Sequence, residues 1–138
     1  MSLRNKALKS YGQVKVQSGV AYADNIQLVQ MLFDGLCDSL AEAEGQIQRN
    51  EIAAKGKSLS RASRIVFGLQ SSLDFERGGE ISSNLSELYS YTTRRILHAN
   101  LHNDIEVVRE VRRLMGEIRD AWKQMPELLK NPNLQKTG

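Results

Sequence analysis

The chain has 138 residues, which suits one domain able to bury roughly two-thirds of its unfolded surface without disulfide or metal staples. Its 41% hydrophobic and 25% charged residues are those of an ordinary globular protein, and the net charge of +3 is too small and too mixed to indicate nucleic acid. A single cysteine, Cys37, rules out an internal disulfide framework, and no apolar run is long enough to span a membrane.

Two prolines, few aromatics and an abundance of Leu, Ala, Glu, Arg and Ser lean helical. Residues 1–23 read as an arm, with a short helix over Leu3 to Tyr11 and an extended stretch through Val14-Lys15-Val16. The arm carries Arg4, Lys6, Lys9 and Lys15 and no acid, so it suits a position against the acidic helix that follows. Ala21-Tyr22-Ala23 mimics a signal-peptidase site, but Lys15, Gln17 and Ser18 interrupt the apolar stretch that a signal peptide needs. The expectation is a cytoplasmic protein.

Helix one is predicted from an Asp24 N-cap to about Arg49, with Asn50 as its stop. Asp34-Gly35, ordinarily a hairpin signal, falls inside it. The apolar spacing of Val29, Leu32, Phe33, Leu36, Leu40, Ala43 and Ile47 keeps helical phase through the pair. A mid-helix glycine costs about 1 kcal/mol against alanine, and close approach of another segment is the usual compensation.

Helix two is predicted over Glu51 to Asp74, with Ile52, Leu59, Ala62, Val66, Leu69 and Leu73 on its core face. Gly78-Gly79 marks Phe75 to Glu80 as a loop. Helix three follows with Ile81, Leu85, Leu88, Thr92, Ile96 and Ala99 in phase and Ser82 or Ser83 as cap. Asn103-Asp104 is a stop-and-cap signal for helix four, which carries Ile105, Val108, Val111, Met115, Ile118 and Trp122. Pro126 closes it, ahead of a turn at Glu127 to Lys130. The predicted fold class is all-α, an antiparallel up-and-down four-helix bundle. It divides into an arm (1–23), a four-helix core (24–125) and a C-terminal turn and tail (126–138).

No chemistry of catalysis is legible. Gly56-Lys57-Ser58 resembles the end of a phosphate-binding loop, but Glu51 stands where that loop needs glycine and no strand precedes it. His98 and His102 have metal-ligand spacing, yet Glu-x-x-His is absent and only two ligands are nominated. Cys37 reads as a packing residue, and Arg94-Arg95 and Arg112-Arg113 as solvated faces. No cofactor and no metal are expected. The alternative from another class is a histidine phosphotransfer bundle using His98.

Some apolar residues fall outside the core stripes. On a 100° wheel, Leu28, Met31 and Gly35 lie roughly 100–160° from the centre of the helix-one stripe. Their i, i+3, i+7 spacing suits either packing beneath the arm or contact with a partner helix. Leu97 and Leu101 point opposite the helix-three stripe, and Phe67 sits about 120° off the helix-two core direction. Together they suggest apolar grooves on the outside of the bundle, and a protein-binding module.

These residues carry a family likeness. Leu28-Val-Gln-Met-Leu-Phe-Asp-Gly35 resembles the helix-one motif of the flagellar export chaperones of the FliS family, and Tyr11 resembles the tyrosine of their N-terminal arm. Ser72-Leu73-Asp74, Gly78-Gly79-Glu80-Ile81 and Asn84-Leu85 resemble the family's helix two–three junction. Leu88-Tyr89-Ser-Tyr91, Arg94-Arg95, Ala99-Asn100 and Asn103-Asp104 match its third helix and following turn, and Ala121-Trp122 its last helix. The likeness spans residues 11 to 123. It departs at Ala23-Asp24-Asn25, where the family often has Ser-Pro, and at Phe33, where it has tyrosine.

The resemblance implies a non-enzymatic chaperone that holds the disordered C-terminal segment of flagellin, prevents premature polymerisation and supports delivery to the export gate. An export-gate component and a regulatory protein are further implied partners, with no nucleic acid and no membrane embedding. The nominated partner-binding residues are Tyr11, Val14 and Val16, in an arm that covers a groove when the client is absent, and the wheel-derived Leu28, Met31, Gly35, Phe67, Leu97 and Leu101.

Overall fold

The computed structural model describes residues 22–124, with the side chains of 22–25 left aside. Residues 1–21 of the expected arm, with Tyr11, Val14 and Val16, and residues 125–138 lie outside the described residues, whereas Tyr22 and Ala23, expected in the arm, are helical. Four helices make up the described part: α1 (Tyr22–Gln48), α2 (Ile52–Ser71), α3 (Phe75–His102) and α4 (Ile105–Lys123). The extensive packing pairs are α1 with α2, α2 with α3, α3 with α4 and α4 with α1. Two- and three-residue connections join consecutive helices, so neighbours run antiparallel around a closed ring.

α1 passes through Asp34-Gly35 without a break, as the phase of its apolar residues requires. Its first turn already includes Asp24, so that residue is not the cap. Ala23 favours helix, and an acid in the first turn is still well placed on the helix dipole. Asn50 ends the first hairpin with a left-handed φ of 59°, which asparagine tolerates better than most residues.

The second junction departs from expectation. Phe75 to Glu80 is not a loop. Asp74 accepts hydrogen bonds from the backbone N–H groups of Glu76 and Arg77, both at 3.1 Å, and starts a helical turn at Phe75. That turn breaks at Gly79 (φ 51°, ψ −122°), a conformation that suits glycine almost alone, and α3 then resumes. Neither Ser82 nor Ser83 caps it, because Asp74 already does; the Ser82 hydroxyl is buried and donates to the Asp74 carbonyl at 2.8 Å. The third junction follows the sequence signal: Asn103 is left-handed (φ 52°), and Asp104 caps α4 by accepting from Val107 N–H.

The core gathers Leu32, Phe33, Leu36, Leu40 and Ala43 of α1, Leu59, Ala62, Ile65, Val66 and Leu69 of α2, Tyr89, Ile96 and Ala99 of α3, and Val107, Val108, Val111 and Met115 of α4. Each fully buried large aliphatic or Phe side chain contributes about 1.5–3 kcal/mol of transfer free energy. Ile52 and Ile81, expected in the core, are exposed: Ile52 is the first residue of α2, and Ile81 lies just past the break at Gly79. Ile65, Tyr89 and Val107 take core positions that the expected stripes leave out.

Polar contacts pin each adjacent pair of helices. The Ser58 hydroxyl donates to Gln46 Oε1 at 2.7 Å between α2 and α1. Gln70 Nε2 reaches the carbonyl and hydroxyl of Ser86 and the hydroxyl of Ser90 between α2 and α3. Glu110 accepts from Tyr91 and Arg95 between α4 and α3. Arg109 and Arg112 of α4 meet Glu44 of α1, and Trp122 Nε1 donates to the Ile26 carbonyl at 3.2 Å. Apolar packing is nondirectional, so such bonds fix which turn of one helix faces which turn of the next.

Candidate protein-binding surface

The nominated residues within the described part separate into two places. On α1, Leu28 is buried at 4% exposure, although its wheel position predicts an outer flank. Met31 is 56% exposed. A Cβ built on Gly35 would lie 3.5 Å from Ile65 Cδ1 and 3.8 Å from Arg61 Nη2. Gly35 therefore faces α2, and the gap there accommodates a methyl group but little more.

The second place is the outer seam between α2 and α3. Phe67 is 53% exposed, Leu97 56% and Leu101 77%. Antiparallel register follows from two sets of hydrogen bonds. Lys55 Nζ donates to the Asn100 carbonyl at 2.8 Å and to Asn100 Oδ1 at 2.9 Å, while Gln70 bonds Ser86 and Ser90. This register sets Phe67 near the level of Ser90 and Leu97 near the level of Ser60. Helical phase turns Leu97 and Leu101 of α3 to the same side as Ser90. The three nominated side chains thus share one seam at successive levels.

Two shallow depressions lie along α2 and α3. One is bordered by Ala53, Gly56, Lys57, Ser60, Arg61, Arg64 and Asn100. The other is bordered by Phe75, Ser83, Ser86, Glu87, Ser90 and Arg94. Phe75 is a large exposed apolar residue that the sequence reading places in a loop and so passes over. Its signal was the Asp74 cap immediately before it, which makes Phe75 the first residue of a helix.

The groups considered for chemistry are occupied structurally. His98 Nε2 lies 3.3 Å from Asp104 Oδ2, the carboxylate that also caps α4, and its ring is 4.6 Å from that of His102. Among the described residues no group of three or more His, Cys, Asp and Glu side chains is placed to hold a metal ion. Cys37 is buried in the core; burial pushes its thiol pKa up, and the opposing Arg119 charge offsets this only in part. That disfavours the thiolate and makes Cys37 a packing residue. Gly56-Lys57-Ser58 is helical throughout. No described helix is long and apolar enough to cross a membrane.

Phe67, Leu97 and Leu101 thus expose apolar surface along an external seam of the bundle. Comparison with known proteins identifies the family. The family described as "Flagellar protein FliS" matches residues 7–128. The chain is 47% identical over 119 residues to the flagellar secretion chaperone FliS of Salmonella typhimurium, covering 86% of this chain and 88% of that one. It is 46% identical over 131 residues to the flagellar secretion chaperone FliS of Escherichia coli, covering 92% and 96%. To the flagellar secretion chaperone FliSB of Pseudomonas aeruginosa it is 39% identical over 117 residues, covering 85% and 93%. With this extent of likeness on a four-helix bundle, the chain belongs to the FliS family and is a flagellar export chaperone, a non-enzymatic role.

Proposed function

We propose that this chaperone binds the disordered C-terminal segment of flagellin in the cytoplasm, keeps it from polymerising early, and hands it to the export gate of the flagellar secretion system. The observation that carries the reading is the exposure of Phe67, Leu97 and Leu101 along one seam between two helices. A monomeric surface rarely presents large apolar side chains in a row without a partner for them. An amphipathic segment that folds as it docks matches such a seam, each apolar anchor taking a position one turn beyond the last. Met31 on α1 offers a second point of contact on another face, and a client long enough to reach both wraps the bundle. The four-helix core is the body of a single domain, and the arm with Tyr11, Val14 and Val16 acts as a displaceable cover. A regulatory protein is a further partner in this reading.

The test is calorimetric titration of the full chain with the C-terminal segment of flagellin from the same organism. Coupled folding predicts binding at micromolar concentration or tighter, with a strongly negative heat-capacity change from burial of about 1,000–3,000 Å². Absence of binding in that range contradicts the reading.

A further inference from the structure

α2 is the one described helix with no acidic residue, and it carries four cations. Lys55 is buried and satisfied by Asn100. Lys57, Arg61 and Arg64 are exposed, spaced i, i+4, i+7, and therefore lie in one row. None of the three has a carboxylate partner among the described residues, whereas Arg95, Arg109, Arg112 and Arg119 each have one. The row borders a shallow depression of about 600 Å³ whose other walls are small or uncharged: Ala53, Gly56, Ser60 and Asn100. A Cβ built on Gly56 would meet only Asn100 Oδ1, at 4.0 Å, so the surface there is open. Leu97 and Leu101 are exposed on the α3 side of the same seam. Small residues let a helix backbone come close, leucines give it an apolar line, and the cations edge that line on one side only.

We propose that the α2–α3 seam docks an amphipathic helix of a protein partner that carries a row of carboxylates beside its apolar strip. The carboxylates pair with Lys57, Arg61 and Arg64 while the apolar strip covers Leu97 and Leu101. The chain's own ends have the wrong sign for this role. Residues 1–23 carry four cations and no acid, and residues 125–138 carry Glu127 against Lys130 and Lys136. A nucleic-acid backbone would satisfy the cations but leave both leucines in water. The proposal takes the seam as a protein-binding surface, yet it does not require flagellin to be the partner.

The experiment uses the full chain and a labelled synthetic peptide of roughly five helical turns, with leucines along one strip and glutamates along its edge. A second peptide replaces each glutamate with glutamine. Neither contains flagellin sequence, so the outcome is independent of the flagellin titration. The glutamate peptide is expected to bind about tenfold more tightly than the glutamine peptide at low salt, and to lose that advantage at high salt. Arg61→Glu with Arg64→Glu should weaken its binding about tenfold or more. Gly56→Leu should weaken both peptides by filling the seam, and it has space and better helix propensity, so the fold is retained. Equal binding of the two peptides, or wild-type affinity in both variants, overturns the proposal. So does displacement of the peptide by an equimolar single-stranded RNA, which assigns the row to phosphates. A sedimenting dimer that excludes the peptide and that Gly56→Leu dissociates assigns the seam to a second copy instead, and equally overturns it.

Discussion

Two buried polar residues show how single side chains hold this bundle at defined positions. Lys55 is 4% exposed and donates to the carbonyl and the Oδ1 of Asn100 at the end of α3, where carbonyls lack helical partners. The ammonium offsets the negative end of the α3 dipole and fixes α2 against it. Lys55→Met keeps the stem but leaves Asn100 unsatisfied, and should cost about 1–3 kcal/mol in urea denaturation. Tyr89 is buried in the core, and desolvation of its phenolate pushes its pKa from 10.0 up to about 12. The folded state therefore favours the neutral hydroxyl. That contribution is complete below pH 10 and disappears as pH rises from 10 towards 12, because the unfolded chain gives up the proton first. The urea midpoint should fall across that window by about 2–3 kcal/mol in stability, and Tyr89→Phe should flatten the slope. An unchanged slope in that variant would exclude Tyr89 as the titrating group.

At the scale of elements, the junctions are where sequence and structure agree most closely and also where they part. Asn103-Asp104 is a local signal with a local outcome: asparagine takes the left-handed turn and aspartate caps the next helix. The α2–α3 corner needed two facts at once. Gly78-Gly79 marks an interruption, but Asp74 had already begun the helix, so the break falls inside α3 rather than before it. Two local signals compete there, and only the three-dimensional path shows which acts first. Gly79→Ala forces a side chain into φ 51°, ψ −122° and should destabilise by about 1–3 kcal/mol in thermal or chemical unfolding. A change within a few tenths of a kcal/mol would show that the corner relaxes freely. Core stripes were legible in the middle of each helix, where period and burial coincide. They failed at Ile52, the first residue of α2, and at Ile81, just past the break at Gly79, because periodicity carries no information on where a helix starts or breaks.

For the whole molecule, closure of four helices into a ring hides one face of each and leaves the seams between neighbours outside. The surplus apolar residues Phe67, Leu97 and Leu101 could be identified from the wheel alone, because a position far from the core stripe of a bundle helix faces outward. That they share one seam could not, since it depends on the register between α2 and α3 set by Lys55, Gln70 and their partners. Leu28 shows the converse: its angle predicts exposure, and its burial comes from packing that no single-helix projection contains. The export-chaperone class follows from family membership, whereas the client surface is the proposal built on the seam. The most direct measurement of that surface compares the wild-type chain with the combined Phe67→Ser, Leu97→Ser and Leu101→Ser variant in binding the C-terminal segment of flagellin. These side chains are largely in solvent, so folded stability should change little at each site. The dissociation constant should rise at least tenfold, about 1.4 kcal/mol or more. Wild-type affinity in a folded triple variant would contradict the seam as the client surface.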